Sequence, residues 1–81
     1  MAASPEICVP ATVESPVTLL EWNVREGEQF RAGEALVELV TSEGCLVVSA
    51  PAEGLVAEIY VADGCRVDPG EPLARVDWSA S

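Results

Sequence analysis

The sequence predicts a small all-β domain, a barrel or sandwich, and three observations carry that prediction. Valine is the most frequent of the hydrophobic residues, which make up 49% of the 81-residue chain, while Phe, Tyr and Trp together supply only four. Valine is stiff at χ1 and suits a pleated, half-buried surface better than a helix. Short apolar runs alternate with acid-glycine and proline-glycine pairs, and no window carries a helical period. The chain also repeats itself. Laying residues 20–40 over 57–77, an offset of 37, gives six identities in 21 positions: Glu21/Glu58, Val24/Val61, Gly27/Gly64, Gly33/Gly70, Glu34/Glu71 and Leu36/Leu73. Average composition would give about one. Two copies are too few for a solenoid, which needs at least about three, so the repeat implies a pseudo-twofold domain.

Residues 1–14 are rich in Ala, Ser and Pro and are expected to be a loose N-terminal segment that enters a first strand near residues 8–13. The body of the domain is expected over residues 15–78, with 79–81 as a tail. In the first half, residues 19–24 alternate and stop at Glu26-Gly27, Gln29-Phe30 follows, Ala32-Gly33-Glu34 turns, and residues 36–40 resume. The second half repeats this with residues 55–61, Asp63-Gly64, Arg66-Val67, Pro69-Gly70-Glu71 and residues 73–76. Glycine and proline punctuate both halves because each presets a turn backbone. Between the halves, residues 40–50 read as a β-hairpin with a polar tip at Thr41-Ser42-Glu43-Gly44. That tip lies at the centre of the pseudo-symmetry and is expected to be the most exposed turn.

Composition narrows the function. Fourteen acidic residues against four arginines give a formal charge of −10. Nucleic acid and anionic membranes are disfavoured, because binding them takes basic side chains, and a basic protein surface is the expected complement unless the charge serves solubility alone. The chain has no lysine and no histidine. Without histidine, a hydrolytic triad or zinc catalysis is not expected, and neither is a metal site. Cys8, Cys45 and Cys65 are widely spaced and odd in number. No leader is read at residues 1–10 and no apolar run approaches ~20 residues, so a reduced, cytoplasmic protein is expected.

The run Leu20-Glu21-Trp22-Asn23-Val24-Arg25-Glu26-Gly27-Glu28-Gln29-Phe30-Arg31-Ala32-Gly33-Glu34-Ala35-Leu36, with Ala50-Pro51-Ala52-Glu53-Gly54 and Val61-Ala62-Asp63-Gly64, resembles the lipoyl domain of the dihydrolipoamide acyltransferases. The biotin carrier domain is a close relative. The similarity covers about residues 17–77. It implies a flattened β-barrel or sandwich of two four-stranded antiparallel sheets, with the central hairpin presenting one lysine that carries lipoate or biotin through an amide. Counted back from Pro51 without a gap, that lysine position falls on Glu43, with Ser42 before it and Gly44 after it. A carboxylate cannot form the amide, and no other lysine exists to replace it, so no cofactor is expected.

In the same register, strand alternation turns Val37, Leu39, Leu46 and Val48 inward and leaves Val40, Cys45 and Val47 outside. Family members usually place acidic or hydroxyl side chains at those outer positions; here they form an apolar strip, a common mark of contact surfaces. The alternative is a one-residue slip that takes Val40 and Val47 into the core. Glu43 is either a recognition charge or a solvated turn residue. Cys45 is a possible attachment thiol, although nothing basic in the hairpin activates it. Ser42 lacks the helix-start setting of a phosphopantetheine site. Cys8 and Cys65 read as packed or incidental, Trp22, Phe30, Ile59 and Val67 as core, and Trp78 as a barrel cap or contact. The leading expectation is a non-catalytic recognition module for an acyl-transfer or biosynthetic enzyme, using Val40, Thr41, Ser42, Glu43, Gly44, Cys45 and Val47; self-association as a homodimer is one version of it. The alternative is a true carrier that holds cargo on Cys45 or without a covalent bond.

Overall fold

The structure, a computed structural model, describes residues 5–79. The outermost parts of both expected loose ends, residues 1–4 and 80–81, lie outside the described residues. Eight strands run in the order β1 (Glu6–Cys8), β2 (Val17–Trp22), β3 (Gln29–Phe30), β4 (Ala35–Thr41), β5 (Gly44–Ser49), β6 (Gly54–Ile59), β7 (Arg66–Val67) and β8 (Pro72–Trp78). They form two antiparallel four-stranded sheets, ordered β1-β8-β6-β3 and β5-β4-β2-β7. The first strand begins earlier than the expected residues 8–13. Ile7 and Val9 are the inward-facing pair that anchors it. Pro10 has no N–H to continue a ladder, and the chain beyond it turns.

The internal repeat is geometric as well as chemical. Shifted by 37 residues, β2, β3 and β4 coincide with β6, β7 and β8, end for end. The bulges repeat too, between Leu19 and Glu21 on one sheet and between Val56 and Glu58 on the other. Each sheet maps onto its partner under the exchange of β1 with β5.

The halves close each other through reciprocal hydrogen bonds. Ile59 N–H donates to Glu26 Oε2 at 2.8 Å, and its counterpart Trp22 N–H donates to Asp63 Oδ1 at 3.1 Å. Gly27 N–H donates to Val56 O and Gly64 N–H to Leu19 O, both at 2.7 Å. Each acid-glycine turn therefore ends a strand of the opposite half. Within each half, Glu34 and Glu71 do the same local work: their Oε1 atoms accept from Arg31 N–H at 3.0 Å and from Asp68 N–H at 2.9 Å. These contacts account for the Gly27/Gly64 and Glu34/Glu71 identities of the repeat and for the acidic pair Glu26/Asp63.

The core splits into two matching clusters. One holds Ile7, Val24, Phe30, Leu36, Ala50, Val56 and Val76, the other Val9, Val17, Leu19, Val37, Leu39, Val67 and Leu73. Trp22 and Val48 pack against both. One exchange of volume breaks the symmetry: where Val17 pairs with Val67 on one sheet, Gly54 pairs with Phe30 on the other. A Cβ on Gly54 would lie 2.6 Å from Asp77 O and 3.0 Å from Phe30 Cζ. Phe30 also meets Trp78 edge to face, centroids 5.9 Å apart. The close approach of the β8 backbone, with the ring beside it, thus leaves no room for a side chain at residue 54.

All three cysteines are free. Cys8 is half-buried, and burial, followed by the nearby Glu6 carboxylate, raises its thiol above the ordinary value. Cys45 and Cys65 are exposed.

Gly54→Ala is expected to lose about 1–3 kcal/mol in urea unfolding through overpacking, whereas the double variant Gly54→Val/Phe30→Val, which copies the Val17–Val67 pair, loses less than its two single changes added together. Alkylation at pH 8, followed by peptide mass spectrometry, is expected to label Cys45 and Cys65 well before Cys8.

Candidate functional site at the central hairpin

β4 and β5 pair in continuous register from Thr41 opposite Gly44 through Val40–Cys45, Leu39–Leu46 and Glu38–Val47 to Val37–Val48. Ser42 and Glu43 alone form the loop, so Glu43 stands at the apex where the sequence placed it. No residue other than glycine has positive φ among the described residues, and Gly44 takes +127°. The reversal needs this backbone freedom at one position, and glycine supplies it. Thr41 Oγ1 fixes the turn from inside: it donates to Gly44 O and accepts from Glu43 N–H, both at 3.1 Å. The Ser42 and Glu43 side chains project into solvent.

The far end of the hairpin is pinned as well. Ala50 N–H donates to Glu34 O at 2.9 Å and Ala50 O accepts from Gly33 N–H at 2.7 Å. β4 is clamped between β5 and β2. The apex is therefore the end of a rigid two-strand ladder.

Strand alternation falls as the gapless register requires. Val37 and Leu39 are fully buried, and Leu46 and Val48 pack against the core. Val40, Cys45 and Val47 take the opposite face, with Val47 46% exposed; the slipped register does not occur. A residue outside the expected set shares this outer face: Leu20, at the β2 bulge on the same sheet, is 48% exposed, with Glu38 between it and Val47 in the register. Its signal lay in the Leu19-Leu20 doublet, since a buried Leu19 turns Leu20 outward.

The duplicated half provides an internal reference for this strip. The counterparts of Val40, Val47 and Leu20 on the other sheet are Asp77, Glu6 and Ala57. There Arg75 lies opposite Glu6 on one side and Glu58 on the other, with a 3.6 Å ion pair to Glu58. The same backbone positions thus accept charge, so the fold does not require apolar residues at Val40 and Val47.

A cleft of about 240 Å³ flanks the apex, lined by Thr12, Val13 and Glu14 on one side and by Thr41, Glu43 and Leu46 with Gly44 and Cys45 on the other. Its ionisable side chains are the carboxylates Glu14 and Glu43 beside the Cys45 thiol. An amide-linked lipoate or biotin requires a primary amine at the apex. The apex offers a hydroxyl and a carboxylate, and the chain has no lysine, so these residues do not fit such a group. Cys45 is accessible, but the cleft holds no cation that would favour its thiolate. Among the described residues, no group of three or more His, Cys, Asp or Glu could hold a metal ion.

Comparison with known proteins agrees with this architecture. The profile of the biotin/lipoyl family, described as biotin-requiring enzyme, matches residues 5–76. The dihydrolipoyllysine-residue succinyltransferase component of the 2-oxoglutarate dehydrogenase complex from Rickettsia felis is 32% identical over 80 residues, covering 96% of this chain and 20% of that protein. The mitochondrial protein X component of the pyruvate dehydrogenase complex from Chaetomium thermophilum is 36% identical over 59 residues, 72% of this chain and 13% of its own length. The chain thus spans about a fifth or less of these relatives. Among solved structures, the lipoyl domain of the 2-oxoglutarate dehydrogenase complex from Azotobacter vinelandii superposes with a TM-score of 0.81 at 28% identity, covering 95% of this chain and all of that one. A single-chain, multi-domain long-chain acyl-CoA carboxylase gives 0.77 at 25% identity, over 98% of this chain and 8% of its own. With a profile match across nearly the whole length and a shared two-sheet fold, this chain belongs to the biotin/lipoyl family.

Proposed function

We propose that the chain is a lipoyl-like carrier-type domain without an attachment lysine, and that it serves as a non-catalytic recognition module for an acyl-transfer or biosynthetic enzyme. The observation that carries this reading is Glu43 at the apex of a chain that contains no lysine. The scaffold that presents the apex is intact, whereas the nucleophile that an amide-linked arm requires is missing. What remains is a rigid acidic tip beside an apolar strip, where the other half of the domain carries charge.

In this reading Val40, Val47 and Leu20 supply the apolar contact, Thr41, Ser42, Glu43 and Gly44 the polar tip, and Cys45 its flank. The partner presents a basic surface around an apolar centre. A formal charge of −10 favours encounter with such a surface and disfavours nucleic acid and anionic membranes. The relatives named for 2-oxoglutarate and pyruvate dehydrogenase complexes support an acyltransferase assembly as the class of partner. Cys45 keeps a second reading open, because it is exposed and lines the cleft at the apex: cargo held as a thioester or disulfide.

Intact mass separates the two readings. Protein purified from its native host is expected to carry no added mass, and Glu43→Lys is expected to gain a lipoyl or biotinyl group when incubated with the matching ligase, ATP and cofactor. An adduct on the unaltered chain that vanishes with Cys45→Ser would replace recognition with carriage. Against the purified dehydrogenase-complex components of the same host, Val47→Glu is expected to weaken binding by about tenfold or more, some 1.4 kcal/mol; unchanged affinity would remove the strip from the reading.

A further inference from the structure

The hairpin carries a second feature that its side chains do not explain, an open sheet edge. β5 is the outermost strand of its sheet, and at six residues it is longer than the other edge strands, β1 with three and β3 and β7 with two each. Its sequence, Gly44-Cys45-Leu46-Val47-Val48-Ser49, has no charge and no proline. Sheet edges of this kind are usually blunted, because they present unpaired N–H and C=O groups to any extended chain. The domain blunts the pseudo-twofold counterpart: β1 carries Glu6 and lies between Pro5 and Pro10. The same fold position is guarded on one sheet and unguarded on the other.

The register identifies the open groups. In a two-residue hairpin, Thr41 and Gly44 are a hydrogen-bonded pair, and such pairs alternate along an antiparallel ladder. Leu39–Leu46 and Val37–Val48 therefore share the inner hydrogen bonds, while Cys45 and Val47 turn their N–H and C=O groups away from β4. Around this edge the ionisable side chains are acidic: Glu38 opposite Val47, and Glu14 and Glu43 lining the cleft with Cys45 and Leu46.

We propose that β5 is a strand-addition edge which takes an extended partner segment of alternating small apolar and basic residues, bound through the backbone of Cys45 and Val47 and flanked by Glu14, Glu38 and Glu43. This deepens the recognition reading of the hairpin and rests on it. Main-chain hydrogen bonds supply the affinity in such additions, and alternate side chains supply selectivity. Charge decides the occupant. A second copy would bring together two chains of formal charge −10, over an edge too short to approach the roughly 1,200 Å² at which stable interfaces begin.

Amide hydrogen exchange by NMR tests the proposal with two capped heptapeptides, Arg-Val-Thr-Val-Thr-Val-Arg and Glu-Val-Thr-Val-Thr-Val-Glu. The basic peptide is expected to slow exchange at the Cys45 and Val47 amides by about tenfold or more, whereas the acidic one leaves them unchanged. Val47→Pro removes the outward N–H without touching the β4 ladder, a substitution that edges tolerate, and is expected to weaken the basic peptide by at least about tenfold. Val47→Thr keeps that donor while losing part of the apolar contact, and is expected to weaken the basic peptide several-fold less than the proline variant does. Exchange in the unaltered domain reads the edge even if the proline variant fails to fold. No protection at Cys45 and Val47 with the basic peptide would overturn the proposal. An equal loss with Thr and Pro would also overturn it, assigning recognition to the apolar side chains and leaving the functional reading standing. Self-association that strengthens with salt would overturn it by seating a second copy instead.

Discussion

The fold depends on a reciprocal exchange of hydrogen bonds at the two acid-glycine turns. Glu26 ends β6 by accepting from Ile59 N–H, and Asp63 ends β2 by accepting from Trp22 N–H. Gly27 and Gly64 donate to carbonyls of the opposite half in the same places. A strand end that projects from a small sandwich exposes backbone groups that must find partners. Here each half lacks those partners and the other provides them, so the halves close together. The central hairpin benefits directly, because β4 lies beside β2 and the end of β5 is held by Gly33 and Glu34.

Much of this was legible in the chain, because the repeat doubles every signal. Glycines, acids and inward valines recur at one spacing, which gave six of the eight strands to within about two residues and the hairpin with its apex. What escaped was set by tertiary pairing. β1 is only three residues long, and its position follows from the contacts of Ile7 and Val9 with the core, which no local propensity announces. The bulges, one of them at Leu20, arise from pairing between strands and have no local signature. The apex chemistry, in contrast, was fully legible, since the absence of an amine is a property of composition. The partner that would meet the tip has no signature in a single chain beyond charge and apolarity.

Because the domain contains its own homologous half, requirements of the fold can be told apart from surface choices. Buried positions agree in kind between the halves: Leu36 and Leu73, Val56 and Leu19, Val76 and Leu39. The outer positions diverge, with Val40 and Val47 standing where Asp77 and Glu6 stand on the other sheet. Packing constrains the first set and leaves the second free.

The exchange of bulk between Phe30–Gly54 and Val67–Val17 has a consequence for how such a duplicated chain finds its native pairing. Two copies of the N-terminal half would set a phenyl ring against a valine and overfill the space. Two copies of the C-terminal half would set a valine against a glycine and leave a void. Only the mixed pairing fills both ends. The asymmetry therefore disfavours like-with-like pairing of the halves, a misassembly to which repeated sequences are especially prone.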